Sequence, residues 1–416
     1  MEEISIQALI ALLSENRGVS ASIAALVSGL VGTGALSFLR RPKSTSQGEL
    51  KYFRDSRLLS PPMRRPAYSD RMAYVMAEMS ALAYYPFEGS GGVMKDVAKH
   101  LLGKTFDKQE DIEKILGKFA EELLIKGVDS RVFFSEILKA SGFDLIDTIH
   151  VAETQGFACK RNVEGEASYV VIAFRGTEQK VSDWLTDVKA VPKVEGETKI
   201  HSGFHQALME ETDATGKTAL QRVKDILDSP AAKDGSGESL PIFITGHSLG
   251  GALALLTTRQ AASNVNGACY TFGGPRVANY EYFQGIKTPV FRVVNSSDIV
   301  PRVPPGAGMT VILRLVQGLS WLAGPVPSVS QLLDKLEGWL DRLNGYRHFG
   351  DLRYLTDVKS GRFSDVKLLT NPPAIDRLMW MWQSLADSLL LPLKSHGMAI
   401  YRKKLAHIAN SNNRVS

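Results

Sequence analysis

Cysteine is nearly absent from this 416-residue chain, which contains only Cys159 and Cys269. Two cysteines cannot form the framework of several disulfides that holds small secreted proteins together, and their spacing fits no zinc site. Cys159 lies in an alternating apolar stretch, and Cys269 leads into a predicted strand. We expect both to be small buried core residues, although a single disulfide between them stays open at this point.

Signatures of several other protein classes are missing as well. The sequence contains no HExxH zinc motif, no P-loop and no GxGxxG fingerprint, so we expect no metal and no cofactor. The net charge of +5 is spread along the chain, without the arginine, lysine and aromatic pattern of nucleic-acid binders, so we expect no nucleic-acid partner. A basic surface near anionic lipid is the better use of this charge, with solubility alone as the alternative.

Charge is also absent from residues 19–39, a run rich in Ala, Leu, Val and Gly. These 21 residues are just long enough to span a bilayer as a helix, and the alternative is an apolar helix packed on the protein itself. The chain begins Met-Glu-Glu, without the basic region of a secretory signal peptide, which makes a secreted protein the weaker interpretation. If the run spans a membrane, the Lys and Arg residues that follow it place the rest of the chain in the cytoplasm.

Composition divides the chain into segments. Residues 1–45 contain the candidate transmembrane helix, and residues 46–66 form a basic linker with several prolines. Residues 67–407 form one large domain with helical insertions at about 92–140 and 306–345, and residues 408–416 form a polar tail. From Tyr68 onwards the apolar residues have a helical period, which predicts a helix with one apolar face.

Strand and helix signals alternate after residue 147. Residues 150–159 and 168–174 are separated by a polar turn that contains glycine, and together they predict a β-hairpin. The remaining strands are predicted at 242–245, 268–272 and 290–294, and the helices between them at 202–209, 217–227 and 249–262. This alternation predicts an α/β fold with a doubly wound, mostly parallel sheet.

The most informative segment reads Gly246-His247-Ser248-Leu249-Gly250, between a short apolar strand and a helix of small residues. It is a GxSxG nucleophile elbow in the strand–turn–helix context that the motif requires. The tight turn holds the Ser248 hydroxyl clear of the backbone, and a side chain at Gly246 or Gly250 would collide with the neighbouring strand or helix. The following helix points its free N–H groups at the place where an oxyanion forms. The alternative is an ordinary glycine-rich turn.

A nucleophilic serine needs a base, and the base needs an orienting carboxylate. In hydrolases with this elbow the acid and then the histidine follow the serine in the chain. Asp298 is the best acid candidate because it follows a buried strand by a few residues; the alternative is an aspartate in a surface turn. Three histidines come later, His348, His396 and His407, and spacing alone does not choose among them.

Several separated motifs resemble those of the class 3 lipases, the family of the fungal triacylglycerol lipases and their bacterial and plant relatives. The resemblance covers about residues 68–92 and 147–407. Its motifs are Val170–Thr177 with Asp183, Trp184 and Asp187, then His201–Phe204, the elbow, Tyr270–Arg276, Asn295–Pro304, His348–Tyr354 and Ser395–Tyr401.

This resemblance implies an α/β-hydrolase fold and a catalytic triad of Ser248, Asp298 and His396. His348 is the fallback base, because it matches a family segment whose histidine is usually not the base. The implied oxyanion hole consists of the backbone N–H groups of Leu249 and Thr177. His247 is expected to pack in the elbow rather than to act as a second base.

The chain departs from the family in its apolar segments. Residues 306–345 are longer than the family needs, and a second apolar stretch covers residues 378–391. Four of the five tryptophans fall in these two stretches, and the fifth, Trp184, falls in the segment that resembles the family's lid entry. Trp184, Trp380 and Trp382 are candidate lid or lipid contacts, since tryptophan favours the boundary between water and lipid. The alternative is that these segments fill a larger core.

Taken together, the residues and the resemblance predict a serine hydrolase that cleaves acyl esters of glycerolipids through an acyl-enzyme. Its expected partners are a lipid substrate and a membrane surface or bilayer, and its oligomeric state is left open. Neutral acylglycerol and phospholipid both remain candidate substrates. The alternative functions are an esterase for small soluble esters and a non-catalytic, membrane-anchored module on a hydrolase fold.

Overall fold

A computed structural model describes residues 52–55, 58–59, 67–85, 130–176, 192–302, 345–358, 363–374, 376–377, 379–380 and 395–412. Contacts divide the chain into two compact units, residues 1–50 with 86–140 and residues 51–85 with 141–416. The candidate transmembrane run 19–39 and the predicted insertion at 306–345 lie outside the described residues, apart from residue 345. Among the helices that are described, none is long and apolar enough to cross a membrane.

The elements are numbered here along the chain. The helices are α1 (Asp70–Leu82), α2 (Ser130–Ala140), α3 (Ser202–Met209), α4 (Ala219–Asp228), α5 (Leu249–Ala261), α6 (Tyr280–Phe283) and α7 (Met398–Asn412). The strands are β1 (Phe143–Val151), β2 (Thr154–Arg161), β3 (Val170–Phe174), β4 (Pro192–Glu195), β5 (Thr198–His201), β6 (Ile242–His247), β7 (Gly267–Phe272), β8 (Val290–Asn295), β9 (Asp351–Leu355) and β10 (Leu368–Thr370). Helix α2 belongs to the first unit, and the other elements belong to the second.

The second unit is built on an eight-stranded sheet with the order β1-β2-β3-β6-β7-β8-β9-β10. Strands β3, β6, β7, β8 and β9 run parallel, while β1, β2 and β10 pair antiparallel at the two ends. The predicted doubly wound, mostly parallel sheet of the α/β-hydrolase type is therefore confirmed. All five residues of β3 are buried, as the apolar run predicted for a central strand.

The predicted hairpin is confirmed in its turn and corrected in its first strand. Strands β2 and β3 pair antiparallel across the polar turn. Residues 150–159, however, do not form one strand, because β1 ends at Val151 and β2 begins at Thr154. Ala152 between them has a φ of 49°, a left-handed conformation that turns the chain back on itself.

Helices cover both faces of the sheet because the side chains of a strand alternate between the faces. Ile242 and Ile244 of β6 lie in the core cluster that α5 completes. On the other face, the hydroxyl of Thr245 lies 2.8 Å from the hydroxyl of Ser80 in α1. Helix α1 packs against α7, and it is buried from Met72 to Leu82, which is more than the single apolar face expected.

The second unit also tests the expectations for the two cysteines and for the linker. Cys159 and Cys269 are both free and buried, so the single disulfide left open is absent. Part of the predicted linker at 46–66 packs into the unit instead, since Phe53 and Leu58 have no exposed surface and the Phe53 N–H donates to Glu78 at 2.9 Å. These apolar side chains interrupt a segment whose prolines and charges otherwise indicate a linker.

Candidate active site

The elbow is a single strained residue between a strand and a helix. Strand β6 ends at His247 and α5 begins at Leu249, which leaves Ser248 between them with φ 58° and ψ −125°. For a residue with a side chain this conformation costs about 1–3 kcal/mol, and it persists only when neighbours hold it. The Ser248 N–H donates to the carbonyl of Phe272 at 2.9 Å, and the Ser248 carbonyl accepts from Gly251 at 3.0 Å.

Two glycines allow this close approach. A Cβ on Gly246 would lie 2.1 Å from the carbonyl oxygen of Gly250, and a Cβ on Gly250 would lie 2.3 Å from that of Phe174. The predicted collisions are therefore confirmed. Leu249 is the first residue of α5, so its N–H has no intrahelical acceptor and can serve an anion beside Ser248.

Asp298 is completely buried, so the surface-turn alternative is wrong. It follows β8 by three residues, and three groups donate to its carboxylate. They are the N–H of Val300 at 2.9 Å, the hydroxyl of Tyr401 at 2.6 Å and Nδ1 of His396 at 2.9 Å. A buried carboxylate with this many donors is held in one orientation.

His396 is oriented through its ring and through its backbone. Because Nδ1 donates to Asp298, a neutral ring leaves Nε2 bare and able to accept a proton. The His396 carbonyl accepts from Nε2 of His247 at 2.7 Å, and the carbonyl of Ser395 accepts from the Asn295 amide at 2.8 Å. The histidine loop is thus fixed by two buried donors from the sheet.

His247 supports the site as a neutral group. Burial, with added repulsion from His396, lowers the pKa of His247 well below its usual value. Its Nε2 must carry the proton in order to donate to the His396 carbonyl, so its Nδ1 accepts from the hydroxyl of Tyr84 at 2.9 Å. This geometry suits the packing role expected of it and leaves it no free nitrogen for a second base.

Ser248 and His396 lie near each other in the fold. The ring next to Ser248, that of His247, lies 4.5 Å from the ring of His396. Within the described residues no hydrogen bond joins the Ser248 hydroxyl to His396, a contact that is often long in free hydrolases. A Cβ on Gly176 would lie 3.2 Å from the Cβ of Ser248, so the end of β3 approaches the elbow. Thr177, the next residue, lies outside the described residues.

The other candidate histidines lie elsewhere. Nε2 of His348 donates to the Pro301 carbonyl at 2.6 Å, and burial together with nearby arginines lowers its pKa well below the usual range. His407 lies on α7, where the hydroxyl of Ser411 is 3.4 Å from its Nε2. Neither ring contacts Asp298 in the part of the chain that is described.

Two supporting residues were not predicted from the sequence. Tyr401 accepts from the N–H of Asn295 at 3.0 Å while its own hydroxyl donates to Asp298, and burial beside that carboxylate raises the pKa of Tyr401 well above its usual value. Lys404 donates to the Asn295 side chain and, at 2.7 Å, to the Thr356 carbonyl. Burial lowers the pKa of Lys404 to about 8. Tyr401 ends a recognised motif, whereas nothing in the sequence marks Lys404.

The predicted lipid contacts are only partly described. Trp184 and Trp382 lie outside the described residues. Trp380 is half-buried, and its ring lies 5.3 Å from that of Tyr354 in a small apolar cluster on the sheet, as the core-filling alternative expects. Across the described ranges, no group of His, Cys, Asp and Glu is arranged to hold a metal ion.

Comparison with known proteins is consistent with this site. Residues 171–307 match the family model "Lipase (class 3)". The chloroplastic phospholipase A1-Igamma2 of Arabidopsis thaliana is 31% identical over 244 residues, which are 46% of this chain and 45% of that protein. A lipase of Rhizomucor miehei is 37% identical over 153 residues, 33% of this chain and 38% of that one. Triacylglycerol lipase OBL1 of Arabidopsis thaliana is 32% identical over 182 residues, 33% and 35% of the two chains. The matches thus span less than half the length of these relatives.

Proposed function

We propose that this chain, whose residues 171–307 belong to the class 3 lipase family, is a serine hydrolase that cleaves acyl esters of glycerolipids. The observation that carries the proposal is the strained Ser248 beside a buried pair in which His396 donates to Asp298 at 2.9 Å. Acyl transfer by a serine hydrolase needs three groups, and this site has all of them: a strained serine, a histidine with one free ring nitrogen and a carboxylate held in one orientation.

In the proposed reaction, Nε2 of His396 takes the Ser248 proton as the hydroxyl oxygen attacks the acyl carbonyl. The resulting oxyanion is held by the backbone N–H groups of Leu249 and Thr177, each worth about 3 kcal/mol in the transition state. Asp298 stabilises the imidazolium of His396, which then gives its proton to the departing alcohol. Water, deprotonated by His396, attacks the acyl-enzyme and releases a fatty acid.

The proposed substrate class is glycerolipid, either neutral acylglycerol or phospholipid. It is supported by the names of the relatives, which include a phospholipase A1 and a triacylglycerol lipase. The decisive experiment compares fatty-acid release from emulsified triacylglycerol and from phospholipid vesicles by wild-type protein and by Ser248→Ala. Release that is lost in the variant supports the proposal. Cleavage of a soluble short-chain ester alone would replace it with the small-ester esterase, and no cleavage of any ester would favour the non-catalytic module.

We also propose that residues 19–39 attach the chain to a membrane, with residues 67–407 as the cytoplasmic catalytic domain. The support is the uncharged run and the Lys and Arg residues after it. Val27→Lys places a charge in the middle of the run and should release the protein from membranes in an alkaline wash. Ser14→Lys, outside the run, is the control, and release that is equal in both variants and wild type contradicts the proposal.

A further inference from the structure

Helix α1 contacts the strand that leads into the nucleophile elbow. The hydroxyl of Ser80 lies 2.8 Å from that of Thr245 on β6, three residues before Ser248. One turn earlier in α1, the carbonyl oxygen of Met76 lies 3.3 Å from the same Thr245 hydroxyl. These contacts fix α1 on the strand that carries the nucleophile.

A buried carboxylate on the opposite side of α1 holds helix α7. Glu78 and Ser80 are two residues apart, so their side chains point to nearly opposite sides of the helix. The Glu78 carboxylate is buried and accepts two bonds from Arg402 on α7, one from Nε at 2.9 Å and one from Nη2 at 2.6 Å. Because a paired fork of this kind fixes direction as well as distance, it joins the two helices in one defined geometry.

The same ion pair sets the rotation of α7 about its axis. Tyr401 and Arg402 are neighbours on this helix, so their side chains leave it about 100° apart. The Tyr401 hydroxyl donates to Asp298 at 2.6 Å, while the next side chain is held by Glu78. A helix held at two points of its circumference cannot rotate to shorten one contact without stretching the other. Since α7 begins two residues after His396, its placement also governs the histidine.

The chain before α1 packs over the ion pair. The N–H of Phe53 donates to the Glu78 carboxylate at 2.9 Å. The ring of Tyr52 lies 5.0 Å from the guanidinium carbon of Arg402. Phe53 has a φ of 50°, a left-handed conformation that a bulky residue keeps only where its surroundings hold it. Glu78 thus orders three segments, since it accepts from the chain before α1 and from α7 while lying on α1.

Orientation explains this ion pair better than stability does. The cost of taking two charges out of water offsets most of their attraction, so apolar residues of similar size often stabilise a fold as well as a buried pair. Apolar contacts are not directional, whereas the two bonds between Arg402 and Glu78 define one arrangement of the helices.

A second arginine–glutamate pair of similar form provides a comparison. Arg161 donates to Glu166 from Nε at 3.0 Å and from Nη2 at 2.8 Å, and its guanidinium carbon lies 5.0 Å from the centre of the Phe143 ring. Arg161 ends β2 beside the first residues of β3, whereas Ser248 follows the last residue of the parallel strand β6. This pair therefore lies at the opposite end of the parallel strands from the nucleophile.

We propose that Glu78 and Arg402 are positioning residues that align the acid and the base of the active site through Tyr401. The pair fixes α7 on α1, which keeps the Tyr401 hydroxyl on Asp298 and the ring of His396 in line for proton transfer. A misplacement of about 1 Å at a reacting group can lower a rate about a hundredfold. The effect on rate rests on the proposed ester hydrolysis, whereas the alignment of His396 does not.

The kinetic test compares Arg402→Met with Arg161→Met in the full-length protein on a soluble short-chain ester. Titration with a fluorophosphonate counts the active sites, so that kcat refers to folded protein alone. Arg402→Met should lower kcat about tenfold with little change in KM. Arg402→Lys keeps the charge but not the fork, and its kcat should lie between those of Arg402→Met and wild type. Arg161→Met removes a pair of similar form and should leave kcat unchanged, even if both methionine variants melt at lower temperature.

A double-mutant cycle separates alignment from a general loss of packing. If Arg402 acts through Tyr401, adding Arg402→Met to Tyr401→Phe should lower kcat by less than about twofold further, because the contact that it aligns is already gone. An equal factor in both backgrounds would overturn the proposal. Equal losses of kcat in Arg402→Met and Arg161→Met would overturn it as well.

The last measurement requires no hydrolysis. With isotope-labelled histidine, the His396 Nδ1 proton in its bond to Asp298 gives a downfield NMR signal, which is identified by its loss in His396→Ala. Arg402→Met and Glu78→Gln should shift or broaden this signal, and Arg161→Met should not. A signal that is unchanged in the first two variants would overturn the positioning role. A wild-type protein that cleaves no ester would refute the proposed function, and the NMR signal would still decide the alignment.

Discussion

Two groups of polar side chains meet at residues 295–302, and they differ in how their hydrogen-bonding atoms are satisfied. On one side, the Asp298 carboxylate accepts from three donors and His396 is held through its ring and its carbonyl. On the other side, the buried Nε groups of Arg302 and Arg377 lack a hydrogen-bond partner in the described residues. Both clusters are built on the same strand ends.

The two groups differ in whether their buried polar atoms have hydrogen-bond partners, and this difference has a functional meaning. A fully satisfied network fixes each side chain in one place, which suits groups that must be aligned before a reaction. A cluster of like charges with unused donors gains stability only when something else supplies the acceptors. We therefore assign the first cluster to the chemistry. The predictions alter members of the first cluster, and they are ordered from the largest expected effect to the smallest.

The largest effect is expected from the nucleophile. Ser248→Ala removes the attacking oxygen and should lower ester hydrolysis by roughly 10⁶-fold, since the triad acts as a unit. The measurement is kcat on a soluble short-chain ester, with thermal melting to show that the fold is kept. Residual activity within a hundredfold of wild type would exclude Ser248 as the nucleophile.

The next effect concerns the carboxylate. Asp298→Asn keeps the shape of the side chain but lets the amide donate to His396, which favours the wrong tautomer and should lower kcat about 10⁴-fold. Asp351→Asn is the matched control, because that acid lies beside the arginines and should leave kcat unchanged. Similar rates in the two variants would contradict the assignment of Asp298 as the acid.

Tyr401 tests whether the satisfied network matters beyond the triad. Tyr401→Phe removes one of three donors to Asp298 and should lower kcat by about 10- to 100-fold with little change in KM. Tyr169→Phe is the control, since the Tyr169 hydroxyl is buried without a partner among the described residues. A KM effect of the same size as the kcat effect, or equal loss in both variants, would point to a general loss of packing.

The smallest effect is a pH dependence of stability from Lys404. An unfolded lysine keeps its proton up to its ordinary pKa of 10.5, whereas folded Lys404 loses it near pH 8. Between these values the unfolded state binds more protons, so this group makes the free energy of unfolding rise with pH. From pH 8.5 to 9.5, wild type should gain about 1.2 kcal/mol over Lys404→Met in urea titrations. Parallel pH curves would show that the Lys404 pKa is not lowered.

Local patterns predicted those parts of the site that lie within a few residues of each other. The elbow around Ser248 and the position of Asp298 after β8 follow from strand, turn and helix signals that are continuous in the chain. The strands β3, β6, β7 and β8 and the helices α3, α4 and α5 followed from the same alternation, to within two residues of their bounds. The turn at Ala152 was missed because alternating residues continue through it.

Long-range pairings could not be predicted in this way. Tyr401 meets Asp298 across 103 residues, and Lys404 meets Asn295 across 109. His247 likewise donates to the His396 carbonyl across 149 residues. Such contacts become visible only when the fold has brought the strand ends together.

The central claim is that Asp298 and His396, held by a satisfied network, activate Ser248. It is tested most directly by the site and rate of labelling with a fluorophosphonate, which reacts with an activated serine and needs no lipid. We predict one adduct, on the peptide that contains Ser248, absent in Ser248→Ala and slowed at least a hundredfold in His396→Ala. A folded wild-type protein that is not labelled, or is labelled as fast without His396, would contradict the account.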